Sequence, residues 1–119
     1  MDACLTIGVP TCGRPEAIKG CLKSIQENLQ IDHQVIIVDS LINDENLKLY
    51  KSFPNLQYLT FDSPIGPSAA RRLIIENAQT PYLLFLDDDN EVNPGTVESM
   101  ISYLENNQEI DILGSAWRE

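Results

Sequence analysis

Basic residues are scarce in this 119-residue sequence. Eight lysines and arginines face 18 aspartates and glutamates, which gives a net charge of -10. A charge of that sign repels a phosphate backbone and an anionic membrane surface. The composition therefore argues against nucleic acid as a partner.

Cysteine and histidine are also rare. Cys4, Cys12 and Cys21 are odd in number and lack the spacing of metal ligands, and His33 is the only histidine. Neither a disulfide framework nor a zinc site is expected from these counts. We interpret the cysteines as reduced thiols, and we expect a cytoplasmic location.

Long hydrophobic runs are missing as well. Apolar runs reach only about five residues, and the N-terminus has no signal-peptide pattern, so no transmembrane segment or export signal is expected. With 43% hydrophobic and 22% charged residues, the composition is that of a globular protein. The length favours a single domain, residues 1–119.

Apolar segments of strand length alternate with segments of helical period. The strands are expected at residues 4–10, 33–39, 56–61, 82–86 and 110–113, and the helices at 15–29, 43–53, 66–78 and from Asn93 and Pro94 to 104. The segments VIIV and YLLFL are continuously apolar, which indicates strands covered by helices on both faces. The pattern predicts an α/β fold, a three-layer α/β/α sandwich with a mainly parallel, Rossmann-like sheet.

Aspartates follow most of the predicted strands, at the end of the sheet where such folds bind ligands. Asp87, Asp88 and Asp89 repel one another by about 3 kcal/mol per pair, so a cation is expected among them. Extended backbone would turn Asp87 and Asp89 to one side and Asp88 elsewhere, which suits Mg²⁺ or Mn²⁺. The alternative is a solvated acidic turn that caps the next helix.

Two further groups of residues are candidates for a ligand site. Gly66 and Pro67 begin a helix whose free N–H groups can bind an anion, and Arg71 lies one turn along it. Alternatively Arg71 and Arg72 pair with surface acids, and one of the two is expected to point away. Asp39 suits a hydrogen bond to a ribose or base, and Thr11 a hydroxyl contact, although turn capping would explain either residue.

The order of these motifs resembles the nucleotide-binding half of family 2 glycosyltransferases, inverting enzymes of GT-A fold. The matching segments are VPTCGRPEAIKGCLKSI, VIIVDS and IGPSAARRLIIENAQTPYLLFLDDDNEVNPGTVESMISYL. The resemblance implies a nucleotide site at Pro10, Thr11, Arg14, Asp39, Arg71, Asp87 and Asp88. It implies metal ligands at Asp87 and Asp89, the outer members of the family's D-x-D motif.

The same resemblance implies transfer of a sugar from a nucleoside diphosphate sugar, a UDP-sugar, to a glycan or other hydroxyl acceptor, with inversion and with Mg²⁺ or Mn²⁺. Ser40 stands where the family has a second aspartate, and Arg72 and Ile74 replace its asparagine and glycine, which weakens the expectation of uridine specificity. No residue is assigned as the catalytic base, because the family's base lies in an acceptor half that we expect to follow Glu119.

Two other functions are compatible with parts of the pattern. A catalytically incomplete module would bind metal and nucleotide sugar and transfer nothing. A phosphoacceptor receiver domain shares the α/β alternation, but it requires acids after the first strand, where Pro10 and Thr11 stand, and a lysine after the fifth. Calorimetry with Mn²⁺ and nucleoside diphosphates separates binding from its absence.

Overall fold

The described part of the chain, residues 3–114 of a computed structural model, forms one parallel sheet covered by helices. The strands are β1 (Leu5–Thr11), β2 (His33–Asp39), β3 (Leu56–Thr60) and β4 (Tyr82–Phe85), and the helices are α1 (Pro15–Asn28), α2 (Asp44–Ser52), α3 (Pro67–Asn77) and α4 (Thr96–Asn106). The strand order is β3-β2-β1-β4. The expected three-layer α/β sandwich is confirmed.

Apolar side chains pack on both faces of the sheet. On one face, Ile7, Val9 and Ile37 lie in a single buried cluster with the apolar stripe of α1, which is Ile18, Leu22, Ile25 and Leu29. On the other face, Ile36 and Val38 pack against Ala70 and Ile74 of α3. The continuous apolar segment VIIV of β2 is thus buried from both sides, as its pattern predicts, whereas YLLF of β4 is only half-buried and its Phe85 is exposed.

Helix α3 approaches the sheet closely at Gly8. A Cβ atom built on Gly8 would overlap Cγ2 of Ile74. Only glycine allows this approach. The residue therefore sets how closely α3, at Ile74, packs against the middle of β1.

Strand β1 is central and aligns the strand ends. It pairs with β2 from Leu5↔His33 to Thr11↔Asp39, and with β4 from Leu5↔Tyr82 to Gly8↔Phe85. The chain after β4 continues along β1, since the Leu86 N–H donates to the Gly8 carbonyl at 3.0 Å. This alignment carries the following aspartates up to the level of Thr11.

The predicted fifth strand is wrong. Residues 110–113 have no strand pairing; Ile110 N–H closes a turn onto the Asn107 carbonyl, and Ile112 is 91% exposed. A short apolar run has no extended structure of its own without a neighbouring strand to pair with. Helix α4 also begins later than expected, at Thr96, because Gly95 before it adopts a left-handed conformation with φ 81°.

Within residues 3–114, no helix is both long enough and apolar enough to cross a membrane.

Candidate functional site

A cleft of about 340 Å³ opens at the carboxyl ends of the strands. The four loops that follow the strands and the N-terminal part of α3 form it. Its lining residues are Pro10, Thr11, Cys12, Arg14, Ser40, Pro64, Gly66, Pro67, Ala70, Arg71, Asp87 and Asp88. The size falls within the range of small-ligand sites, and the location is where parallel α/β sheets bind ligands.

Asp88 is held by two donors, one from the last residue of β1 and one from the loop that follows it. Thr11 Oγ1 donates to Asp88 Oδ2 at 2.7 Å, and Arg14 Nη1 donates to Asp88 Oδ1 at 2.9 Å. Asp88 is buried, whereas the Arg14 side chain is 56% exposed. Because these contacts link residues more than 70 positions apart, they fix the aspartate segment against the end of β1.

The prediction that the three aspartates run in extended backbone is wrong. The Asn90 N–H donates to the Asp87 carbonyl at 3.0 Å, which closes a turn over residues 87–90. In this turn Asp87 and Asp88 line the cleft, whereas Asp89 does not. The alternation that would turn Asp87 and Asp89 to one side holds only in a strand, and the strand ends at Phe85.

The charges of the aspartate turn act on Cys21 in α1. Burial, together with the charges of Asp88, Asp89 and Glu91, raises the pKa of the Cys21 thiol to about 12. Cys21 is a buried residue of α1. Asp89 is exposed, so its carboxylate is accessible although it stands outside the cleft lining.

The chain after the aspartate turn is attached to α1. The Val92 N–H donates to Ser24 Oγ at 2.9 Å, and Asn28 Nδ2 donates to the Val92 carbonyl at 2.8 Å. Val92 itself is only 5% exposed and belongs to the core. The turn is thus held by β1 on one side and by α1 on the other.

Asp39 is enclosed below the cleft. Its Oδ1 accepts from the backbone N–H groups of Gly13 and Leu41, both at 3.0 Å, and its Oδ2 accepts from Tyr50 OH at 2.6 Å and Asn46 Nδ2 at 2.8 Å. Burial alone would raise the pKa of Asp39, but these four hydrogen bonds hold it below its ordinary value. Asp39 is fully buried and is not part of the cleft lining, so its predicted contact with a nucleoside stays a prediction.

The prediction that one of Arg71 and Arg72 points away from the site is confirmed. Arg71 lines the cleft, whereas Arg72 Nε donates to Glu76 Oε1 at 2.9 Å on the outer face of α3. Gly66 before this helix offers no side-chain cap, so the first N–H groups of α3 have no side-chain partner at that position. Gly66 and Pro67 also line the cleft, which gives it an anion-attracting end.

The donor set is compatible with a hard divalent cation that a diphosphate helps to hold. Among residues 3–114 there is no group of three His, Cys, Asp or Glu side chains able to hold a metal by themselves. Mg²⁺, however, is commonly bound by one or two carboxylates together with substrate phosphates. Asp87 meets that need, because it is exposed and lines the cleft.

Six of the seven predicted nucleotide-binding residues line the cleft: Pro10, Thr11, Arg14, Arg71, Asp87 and Asp88. Sequence reasoning did not single out Pro64, nor the two α2 residues Asn46 and Tyr50 that hold Asp39. Asn46 and Tyr50 are four residues apart and so share one helix face. That spacing was a usable signal, but it does not reveal which buried group the face contacts.

The fold and the cleft define an α/β protein with a small-ligand site at the carboxyl ends of parallel strands. Comparison with known proteins then gives the family: the model of "Glycosyl transferase family 2" matches residues 6–119. The chain belongs to this family, which confirms the resemblance drawn from the motifs, and its relatives are named as glycosyltransferases.

The chain is similar to parts of larger proteins. It is 36% identical over 93 residues to a teichoic acid poly(glycerol phosphate) polymerase of Staphylococcus epidermidis, covering 74% of this chain and 13% of that protein. It is 28% identical to glycosyltransferase SunS of Bacillus subtilis over 85% of this chain and 24% of that protein. The chain thus spans less than a quarter of the length of these two relatives.

Solved structures show the same fold. A crystal structure of Staphylococcus aureus TarS superposes with a TM-score of 0.77 at 22% identity, covering 88% of this chain and 33% of that one. A second structure of the same TarS fragment, with the same TM-score of 0.77, is a complex with UDP.

Proposed function

We propose that this chain is the donor-binding part of a glycosyltransferase that moves a sugar from a nucleoside diphosphate sugar, a UDP-sugar, to a hydroxyl group of a glycan or other acceptor. One observation carries the proposal. Arg14, Arg71 and Asp87 come from three separate parts of the chain and line one cleft in a family 2 domain. The UDP complex of TarS, which shares the fold, supports UDP as the nucleotide.

The chemistry of the cleft suits a diphosphate. The guanidinium of Arg71 and the uncapped N-terminus of α3 attract phosphate oxygens, since charge-assisted hydrogen bonds and helix N–H groups both favour anions. Thr11 and Ser40 at the strand ends offer small polar groups for the nucleoside. In a chain of charge -10, this local excess of donors is the feature that favours an anionic ligand here.

Asp87 would hold Mg²⁺ or Mn²⁺ at the rim of the cleft. Asp89 is the proposed second carboxylate because it is exposed on the same turn, although it does not line the cleft. A bound divalent cation would stabilise the negative charge that develops on the departing diphosphate. Asp88 has a different part, because both of its oxygens already accept hydrogen bonds from Thr11 and Arg14. It keeps the turn in place beside the cation site.

Transfer with inversion needs a base that deprotonates the acceptor hydroxyl. Around the cleft the acids of the described residues are already engaged, Asp88 by hydrogen bonds and Asp87 by the proposed metal. This observation favours a second candidate function, a module that binds nucleotide sugar without transferring it. Release of UDP from a UDP-sugar with and without acceptors distinguishes the two, because the module would bind and not turn over.

Replacing Arg71 with alanine should weaken UDP binding by about 1.5–3 kcal/mol, because a charge-assisted contact is lost. Isothermal titration calorimetry measures the change in UDP affinity. Arg72→Ala is the matched control: Arg72 is on the same helix but pairs with Glu76 away from the cleft. Equal affinities for the Arg71 variant and the wild type would remove Arg71 from the donor site.

Asp87→Asn should abolish the gain in UDP affinity that Mn²⁺ provides, since a neutral amide is a poor ligand for a hard cation. The measurement is UDP titration with and without Mn²⁺, and the same titration with Asp89→Asn tests the second carboxylate. Asp62→Asn is the control, because Asp62 is exposed after β3 and does not line the cleft. A Mn²⁺ effect that survives in Asp87→Asn would contradict the assignment.

A further inference from the structure

The buried carboxylate of Asp39 connects three parts of the chain. Gly13 belongs to the loop between β1 and α1, Leu41 to the loop between β2 and α2, and Asn46 and Tyr50 to α2 itself. Each carboxylate oxygen accepts two hydrogen bonds, one oxygen from the two loops and the other from the helix. All four hydrogen bonds that the Asp39 carboxylate accepts therefore come from the protein itself.

The two loops that Asp39 holds form one wall of the cleft. Gly13 lies between the cleft residues Cys12 and Arg14, and Leu41 follows the cleft residue Ser40. The loops also touch each other: Gly13 has φ 61°, and a Cβ on it would lie 2.8 Å from the Leu41 carbonyl oxygen. A shift of either backbone N–H group would therefore move residues of this wall.

The α2 side of the network is buried and remote from the ligand. Asn46 is 0% and Tyr50 1% exposed, and neither lines the cleft. Their donors restrain Oδ2, and because the carboxylate is rigid and planar, this also restrains the direction of Oδ1 toward the loops. Charged hydrogen bonds in a buried site are strong enough to impose such an orientation.

We propose that Asp39 is a positioning residue, and that Tyr50 and Asn46 act through it on the affinity of the cleft for nucleotide. The proposal rests on the proposed function, since it concerns the same donor site. In this role Asp39 does not contact the nucleoside itself. It also places determinants of nucleotide affinity on α2, outside the residues that a ligand can touch.

Tyr50→Phe tests the proposal, because it removes one donor to Asp39 and keeps the ring that packs on Tyr58, with centroids 5.7 Å apart. The Kd for UDP should rise about threefold to thirtyfold, which is part of the roughly tenfold to 150-fold factor for losing a hydrogen bond to a charged group, because Asp39 keeps its other three donors. Tyr58→Phe is the control, since within residues 3–114 the Tyr58 hydroxyl makes no hydrogen bond. Asp39→Asn is the harsher variant and need not fold.

Amide hydrogen exchange of the free protein gives a second readout that does not need nucleotide. In Tyr50→Phe, exchange at Gly13 and Leu41 should accelerate while the central residues of β1 and β2 keep their protection. Acceleration throughout the sheet would mean a general loss of stability and would overturn the proposal, as would an unchanged Kd with unchanged exchange. If the wild-type protein binds no UDP, the proposed function is wrong. The exchange experiment still tests Asp39 in that case, because unaltered exchange at Gly13 and Leu41 in Tyr50→Phe would refute its positioning role.

Discussion

Asp88 is the residue that joins the two ends of the candidate site. Its carboxylate accepts from Thr11 and from Arg14, so the loop after β1 and the turn after β4 are fixed relative to each other. The like charges of Asp87 and Asp89 on either side would otherwise favour separation. A cation bound at the cleft would act in the same direction as Arg14, by lowering that repulsion.

The cysteines differ sharply in accessibility. Cys12 is exposed at the cleft, whereas Cys21 is buried and its pKa is raised to about 12 by burial and by the carboxylates of Asp88, Asp89 and Glu91. Because the thiolate is the reactive form, a thiol reagent at pH 8 should label Cys12 in the folded protein and Cys21 only after unfolding.

UDP should slow the labelling of Cys12 in the same experiment, since the residue lines the proposed donor site. Mass spectrometry of the labelled peptides provides the measurement, with half-buried Cys4 as the internal reference. Labelling of Cys21 at a rate equal to that of Cys12 would contradict the packing of α1.

At the scale of residues, the composition of the cleft was predictable and its geometry was not. The rule that ligands bind at the ends of parallel strands identified Thr11 and Asp87 from sequence, and the helix start at Gly66 and Pro67 identified Arg71. The rotation of Asp89 away from the cleft depends on a turn, and the burial of Asp39 depends on donors from α2. Both features arise from contacts between distant segments, which local patterns do not encode.

Among the elements, α3 has the most demanding contact with the sheet. It carries Arg71 to the cleft and packs Ile74 directly over Gly8. The position of the arginine is therefore coupled to a glycine in the middle of β1. Any residue that lifts α3 from the sheet would also displace Arg71.

Gly8→Ala should destabilise the protein by about 1–3 kcal/mol, because the added methyl group overlaps the Ile74 side chain. Urea unfolding measures the loss. Ile74→Leu removes the nearest methyl group, so the double variant should lose less than the sum of the two single variants. Gly114→Ala serves as the control, since a Cβ there would meet nothing within 4 Å. If the double variant lost the full sum of the two single-variant losses of stability, the added methyl group would not clash directly with Ile74.

The elements themselves were largely predictable. In the described residues, four strands and four helices occur where hydrophobic periodicity places them. Asn43, the first residue of the expected second helix, caps α2 through its side chain and accepts from the Asn46 N–H at 2.8 Å. Periodicity succeeds because burial on a helix or strand face is a local property of the sequence. It fails at residues 110–113, where an apolar run is present but pairing is not.

The whole molecule has a strongly uneven distribution of charge. Residues 73–117 include nine aspartates and glutamates and no lysine or arginine. The described residues contain three ion pairs, two of which are exposed i,i+4 pairs on helices. Such pairs contribute little, so repulsion among carboxylates is the larger electrostatic effect.

Added salt should therefore stabilise the protein. Raising NaCl from about 0.01 M to about 0.15 M shortens the Debye length to about 8 Å and should raise Tm by a few degrees. Calorimetric scans supply the measurement. Glu105→Lys, on an exposed position of α4, should raise Tm at low salt and reduce its dependence on salt. A Tm that falls with salt would mean that attractive pairs dominate.

The attachment of Val92 to Ser24 and Asn28 separates the segment before it from the segment after it. Because these hydrogen bonds fix Val92 to α1, residues inserted between Val92 and α4 would leave the turn over residues 87–90 undisturbed. The four exposed residues 93–96 are therefore a suitable insertion site, where the connection could be lengthened or a recognition loop added beside the cleft.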